Sequence, residues 1–338
     1  MRSRLVIYDL QKITPWIRVR KGEGKFGEHV ELLPIDNSLE VALSNSSAKY
    51  VLFGIPEDIG VIANQGKPGT RNAWLSCLPH LLNVQNNQFV KGKKILLLGH
   101  LNFEEELKEI DALKGDSKIK KARDLTSYID TEVTDLVRQI VESGKIPIVI
   151  GGGHNNAYGI IKGTALALKA PINCLNIDAH SDFRKREGRH SGNGFSYAFY
   201  EGFLEHYFIM GLHENYTSKK QFKTLANEKN IRFNTIEELF IRREKGFDFE
   251  LLEALEFIKH SKFGLEIDMD SVAHAPSSAQ TCSGLALNQV REIVFKASRI
   301  KNIAYLHICE AAPKQGADDD FQIGKALSYL ITDFIRKK

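Results

Sequence analysis

The chain of 338 residues has 43% hydrophobic and 26% charged residues, a balance typical of a globular protein with a substantial core. Its formal net charge of +4 is small for this length and its lysines are dispersed, so a nucleic-acid partner is not favoured. Four separated cysteines argue against a zinc knuckle, and the lack of a signal peptide or a bilayer-length apolar run predicts a cytoplasmic protein without membrane contact.

The first 48 residues have a mixed pattern, and we expect them to form an N-terminal extension packed on the main body. Residues 5–8 predict a short strand, residues 34–47 are rich in turn formers, and 39–43 predict a short helix within them. No internal repeat or low-complexity linker follows. We therefore expect one catalytic domain over residues 49–338.

From residue 50 onward, short apolar runs alternate with segments of helical periodicity. The runs are continuous rather than alternating, which is typical of strands buried on both faces. The pattern predicts an α/β protein with a mostly parallel central sheet covered by helices on both sides. The predicted strands are 50–55, 94–98, 147–150, 172–177, 208–212, 231–233, 263–267 and 303–308.

Polar clusters follow four of these strands directly, and ligands of such sheets bind at the carboxyl ends of the strands. If the four strands are neighbours, two imidazoles and several carboxylates meet at one edge. So many carboxylates need counter-charge, which two divalent ions of the manganese or zinc kind would supply together with an activated water. The candidates are His154, Asp178, His180, Asp182, Asp268, Asp270 and Glu310, with Asp178 and Asp268 as bridging ligands.

The order of the motifs resembles that of the ureohydrolase family, which includes arginase, agmatinase and formimidoylglutamase. The matching pieces are Gly54-Ile55-Pro56, Gly152-Gly153-His154, Asp178-Ala179-His180-Ser181-Asp182, Glu266-Ile267-Asp268-Met269-Asp270, Ser283-Gly284-Leu285 and Glu310-Ala311-Ala312-Pro313. The resemblance implies a three-layer α/β/α fold, two Mn²⁺ per chain and a homo-oligomer. It implies that His154, Asp178, His180, Asp182, Asp268 and Asp270 are the metal ligands. It also implies that Glu310 contacts the amidine or guanidine end of a small substrate and that Asp182 hydrogen-bonds the attacking hydroxide.

Two departures from the common family pattern resemble the formimidoylglutamase branch. Gly153 stands where Gly-Gly-Asp-His has its aspartate, and Ser191-Gly192-Asn193-Gly194-Phe195 has serine where arginases and agmatinases have a proton-shuttling histidine. His190 lies one position earlier and is the remaining candidate for that shuttle.

The segment 183–189 is strongly basic, and arginine is well suited to bind carboxylates in a bidentate manner. Arg184, Arg186 and Arg189, with Asn193, are therefore candidates to bind a substrate that carries two carboxylates; a solvated loop is the alternative. His213 and Glu214 follow a further strand and are weaker candidates for lining the pocket.

These observations predict a binuclear metal-dependent hydrolase of a linear amidine, with formimidoylglutamate giving glutamate and formamide. Three alternatives stay open: a guanidine ureohydrolase, a non-catalytic metal-binding relative, and a deacetylase on the related fold. The last is disfavoured because such enzymes use one zinc ion and fewer acidic ligands.

Overall fold

A single nine-stranded sheet organises the part of the chain that the computed structural model describes, residues 4–33 and 38–336. Its strand order is β1-β3-β2-β4-β9-β8-β5-β6-β7, and every neighbouring pair is parallel except β1 with β3. The strands are β1 Leu5–Ile7, β2 Tyr50–Gly54, β3 Ile95–Leu101, β4 Ile146–Ile150, β5 Ile172–Ile177, β6 Leu204–Leu212, β7 Ile231–Thr235, β8 Phe263–Asp268 and β9 Ile303–Cys309.

Helices cover both faces of this sheet. Successive strand residues point to opposite sides, so both faces carry apolar side chains that the helices bury. In β2, Leu52 packs into one apolar cluster, while Val51 and Phe53 pack into the other. The three-layer α/β/α prediction is therefore confirmed. The helices are α1 Leu10–Ile13, α2 Leu39–Asn45, α3 Ile59–Ala63, α4 Ala73–Leu81, α5 Glu104–Asp111, α6 Gly115–Glu142, α7 Asn156–Leu168, α8 Gly194–Tyr200, α9 Lys219–Asn227, α10 Phe247–Ile258, α11 Leu287–Ala297 and α12 Asp318–Ile335.

Different helices cover the two faces of the sheet. The face covered by α4, α10, α11 and α12 holds a cluster that includes Trp74 and Leu327. The opposite face is covered by α3, α6, α7 and α8, and the long α6 packs against α7. No helix in the described residues is long and apolar enough to cross a membrane.

The N-terminal segment takes part in the sheet. Strand β1 pairs antiparallel with β3, and the buried indole Nε1 of Trp74 donates to the hydroxyl of Tyr8 at 3.0 Å. The strand predicted at 5–8 and the helix predicted at 39–43 are both present, while part of the predicted turn-rich stretch lies outside the described residues. The division into a 1–48 extension and a 49–338 domain stays a prediction.

Four adjacent strands in the middle of the sheet bring the polar clusters to one place. Ile150, Ile308, Ile267 and Ile177 lie in a single row across β4, β9, β8 and β5. Because the strands are parallel and in register, the segments that follow these isoleucines leave the same edge together. Each of the four polar clusters that hold the candidate metal ligands and Glu310 follows one of them.

Candidate metal centre

His154 lies at the centre of a buried group of carboxylates. Its Nδ1 atom is 3.2 Å from Asp178 Oδ2, 2.9 Å from Asp182 Oδ2 and 3.0 Å from Asp268 Oδ2. Ligand atoms of these four side chains all lie within 4.8 Å of one another. The imidazole is fully buried and packs edge-on against Phe195, which constrains its position.

A second group of potential ligands forms around His180 and shares a carboxylate with the first. His180 Nδ1 is 3.7 Å from Asp178 Oδ1 and 3.8 Å from Asp270 Oδ2. Asp178 therefore turns one oxygen toward each histidine. This is the arrangement expected of a carboxylate shared by two sites, and all six predicted ligands meet here.

The backbone holds the carboxylates in place in the same way at two strand ends. Asp178 Oδ1 accepts from the amide of His180, and Asp268 Oδ1 accepts from the amide of Asp270, each at 2.7 Å. Asp182 has a left-handed backbone with φ of 43°. Such conformations cost on the order of 1–3 kcal/mol in residues other than glycine, and they persist where the surroundings enforce them.

The electrostatics of the group fit a divalent cation. Burial, reinforced by neighbouring carboxylates, raises the pKa of Asp268 well above its usual range and also raises the pKa of Asp182. Within residues 4–33 and 38–336, neither ring nitrogen of the buried His154 has a hydrogen-bond partner of good geometry. Crowded acids and an unsatisfied imidazole are what a site built around positive charge presents. Imidazole and carboxylate ligands suit ions of the manganese or zinc kind.

Glu310 stands beside this group with one oxygen free. Its Oε1 accepts from the amide of His154 at 2.7 Å, while its buried Oε2 has no hydrogen-bond partner among the residues that the structure describes. The residue has a left-handed backbone, with φ of 59°. Burial, with the negative charges of Asp270 and Asp182, raises the pKa of Glu310 to about 8.

A pocket of about 450 Å³ opens above the carboxylates. Its inner wall is acidic, and its outer wall is polar with one arginine, Arg184. The guanidinium of Arg184 donates from Nη1 to Asn64 Oδ1 at 2.6 Å, which leaves further N–H groups for a ligand. The lining includes Asn64, His180, Asp182, Arg184, Tyr216, Gln221, Asp268, Asp270, Ser278 and Glu310.

Comparison with known proteins identifies the family. The family model described as "Arginase family" matches residues 48–332. The chain belongs to the arginase family. The formimidoylglutamase of Macrococcus caseolyticus (strain JCSC5402) is 26% identical over 269 residues, which cover 79% of this chain and 78% of that protein.

Solved structures establish the arginase fold independently. The formimidoylglutamase from Bacillus subtilis has a TM-score of 0.73 and 17% identity, covering 97% of this chain and 98% of that one. The Trypanosoma cruzi formiminoglutamase solved with Mn²⁺ has a TM-score of 0.69 and 18% identity, covering 89% of this chain and 98% of that one.

The departure from the family's Gly-Gly-Asp-His pattern has a steric explanation. A Cβ atom on Gly153 would lie 2.6 Å from Asn155 Oδ1, 2.7 Å from Val61 Cγ2 and 3.2 Å from Glu310 Oε1. The buried Glu57 reinforces this packing, because its Oε1 accepts from the amide of Gly153 and the side-chain amide of Asn155. Sequence reasoning passed over Glu57, because the partners of its Oε1 lie almost 100 residues away.

The basic segment contributes less to the pocket than its sequence predicts. Arg184 lines the pocket, but Arg186 lies over the ring of Tyr200 in a neighbouring groove. Arg189 lies outside the pocket lining, because its buried guanidinium pairs with Asp130, with Nε 2.7 Å from Oδ2, and its candidate role in substrate binding stays a prediction. This ion pair thus anchors the segment 183–189 to α6, which carries Asp130.

Asn193 and His190 also lie outside the pocket lining. Asn193 is fully buried and donates to the carbonyls of Lys185 and Gly188, so it closes the loop on itself. His190 is fully buried too, and its Nδ1 accepts from the amide of Gly192. Burial lowers the pKa of His190 to about 3, assisted by nearby arginines. The structure gives no support to His190 as a proton shuttle.

Aromatic stacking at the pocket rim brings in Tyr216, which the sequence did not single out. The ring of Tyr216 stacks on His180 at 5.4 Å and on His213 at 4.9 Å. His213 thus supports the rim rather than lining the pocket. Glu214 pairs with Arg242 through Oε1 and Nη2 at 2.6 Å, outside the pocket lining. No sequence motif for catalysis or binding includes Tyr216. The one available signal was its position shortly after the carboxyl end of β6, where ligands of such sheets bind.

Proposed function

We propose that this protein is a hydrolase that cleaves formimidoylglutamate to glutamate and formamide with two Mn²⁺ ions per chain. The observation that carries the proposal is the meeting of two histidines and four aspartates, of which His180, Asp182, Asp268 and Asp270 line one polar pocket. The formimidoylglutamase relatives support the choice of substrate. So does an outer wall whose lining has one arginine, suited to a carboxylate.

The two groups of ligands suggest how the ions would be held. His154, Asp178, Asp182 and Asp268 would hold one ion, and His180, Asp178 and Asp270 the other, with Asp268 as the second bridge. Bound there, two Mn²⁺ ions would supply Lewis acidity and lower the pKa of a water molecule, as divalent ions do in hydrolytic sites.

The remaining residues would bind and orient the substrate. Glu310 Oε2, which has no partner within the described part of the chain, would accept an N–H of the amidine and so fix the scissile carbon over the carboxylates. Asp182 would accept a hydrogen bond from the attacking water. Arg184, steadied by Asn64, would bind a carboxylate of the glutamate portion.

Positioning of this kind is worth several orders of magnitude in rate, because it removes the entropy cost of bringing the reacting groups together. Hydrolysis adds one water across the C–N bond. The glutamate nitrogen leaves as the amine, and the formimidoyl carbon keeps its other nitrogen and gains the water oxygen as formamide.

A panel of substrates tests the proposal. The Mn²⁺-loaded protein should release glutamate from formimidoylglutamate and should leave arginine, agmatine and guanidinobutyrate intact. Urea release from arginine without turnover of formimidoylglutamate would make it a guanidine ureohydrolase. Metal analysis showing fewer than two ions per chain and no turnover would make it a non-catalytic relative.

We also propose that the protein is a cytoplasmic homo-oligomer. Family resemblance supports the oligomer, and the lack of a bilayer-length apolar run supports the location. Light scattering of the purified protein would contradict the oligomer if it gave the mass of one chain.

A further inference from the structure

A second hydrogen-bonded layer lies directly beneath the carboxylates of the metal centre. It consists of Glu266 on β8 and Tyr305 and His307 on β9, all fully buried. Glu266 and His307 are opposite each other in the parallel register. Glu266 precedes Asp268 by two positions, so both side chains point to the same side of the sheet.

Glu266 is held on both oxygens. Its Oε1 accepts from the hydroxyl of Tyr305 at 2.8 Å, and its Oε2 lies 2.6 Å from Nδ1 of His307. The same Oε2 lies 3.4 Å from Nε2 of His154. A carboxylate buried without partners would cost several kcal/mol, so the two firm contacts explain how the charge persists in a strand interior.

The two nitrogens of His154 therefore face acids on opposite sides. Nδ1 faces Asp178, Asp182 and Asp268, and Nε2 faces Glu266. To give an electron pair to a cation from Nδ1, a neutral imidazole must carry its proton on Nε2. That proton needs an acceptor, and metal-binding histidines regularly donate it to a carboxylate.

We propose that Glu266, held by Tyr305 and His307, is a positioning residue that accepts the Nε2–H of His154 and thereby directs Nδ1 toward the ion. This inference rests on the proposed function, because it assigns a role to a residue beneath the same metal centre. Among the described residues, the only acids within 4.0 Å of a ring nitrogen of His180 are candidate metal ligands, and its half-buried ring stacks on Tyr216. The influence of Glu266 is thus confined to one of the two ion positions.

A different role for the same layer would be a third metal site. Ligand atoms of Glu266, His307 and Cys309 lie within 4.8 Å of one another. Both oxygens of Glu266 are already engaged, however, and the three side chains are fully buried. We therefore interpret the trio as a support beneath the centre.

The test is a calorimetric titration of the metal-free, full-length protein with Mn²⁺. The wild type should bind two ions; fewer would contradict the proposed function itself, whatever Glu266 does. Glu266→Gln should weaken one of the two binding steps by about 10- to 100-fold and leave the other within about twofold. Glu250→Gln is the matched control, since Glu250 is a buried acid on α10 that accepts from the Asn234 amide.

The pattern of loss separates positioning from a general structural defect. Equal weakening of both steps, unchanged affinity at both, or a third ion in the wild type would each overturn the inference. If Glu266→Gln does not fold, Tyr305→Phe decides, because it keeps the ring and removes the hydroxyl, which donates to Oε1 and lies 4.0 Å from the Cys174 thiol. It should weaken the same single step on the order of a few-fold, and unchanged binding would refute the role of the layer.

Discussion

Restoring the common family residue at position 153 should damage this protein. In Gly153→Asp, the new Cβ would lie 2.6 Å from Asn155 Oδ1 and 2.7 Å from Val61 Cγ2, well inside ordinary contact distance. Both neighbours are buried, and Asn155 is tied to Glu57 by its side-chain amide. The strain can therefore relax only by moving the loop that carries His154.

The expected magnitude has a steric part and an electrostatic part. Overpacking by a single methyl group costs about 1–3 kcal/mol. The aspartate adds a buried carboxylate beside Glu310, and leaving such a group without donors costs about 1–3 kcal/mol or more. The total is a large share of the roughly 5–15 kcal/mol that stabilises a typical protein. A shift of His154 by about 1 Å would cost about 100-fold in rate.

Thermal unfolding in the presence of a metal chelator measures the loss of stability. Turnover of formimidoylglutamate with Mn²⁺ measures the loss of rate. Gly153→Ala carries the steric part alone and should fall between wild type and Gly153→Asp in both assays. Gly246→Ala is the control, because a Cβ there has nothing closer than 4.0 Å. Wild-type stability and activity in Gly153→Asp would refute the steric explanation for the departure from the family pattern.

Three further predictions concern single residues. Asp268→Ala should abolish turnover and lower bound Mn²⁺ below two per chain with little change in circular dichroism; full activity would contradict its bridging role. Arg184→Met should raise KM for formimidoylglutamate by about 10- to 100-fold, the effect of losing a charged hydrogen bond, while Arg186→Met should not. The pKa of about 3 for His190 lies below the unfolded value of about 6.5. Unfolding therefore takes up a proton, and stability should fall as pH drops below 6.5 by up to about 1.4 kcal/mol per unit. With chelator present, His190→Asn should lack that component, and identical pH profiles would contradict a buried neutral histidine.

The sheet and the meeting of the six candidate ligands were predictable because both depend on local sequence. A continuous apolar run predicts a buried strand, and the parallel arrangement then brings polar residues after each strand to one edge. The predicted pairs, Asp178 with His180 and Asp268 with Asp270, are close together in the structure as well. In each pair the first carboxylate accepts a hydrogen bond from the backbone amide two residues later. No long-range information was needed for this part.

The substrate side was harder because its outcome depends on contacts between distant segments. Arg184 and Arg189 have similar surroundings in the sequence, yet one lines the pocket and the other is buried. The difference is made by Asn64, 120 residues before Arg184, and by Asp130 on α6, 59 residues before Arg189. A helix that presents a buried acid to a loop cannot be recognised from the loop alone.

Glu266 is the residue whose sequence signal was available but not used. An acid in the middle of an apolar strand cannot stay buried without partners. Tyr305 and His307 occupy alternate positions on another predicted strand and so share one face of it. If the two strands are neighbours, these donors are the natural partners of the acid. Combining the cost of a buried charge with strand periodicity thus predicts a support beneath a metal site, in addition to the ligands themselves.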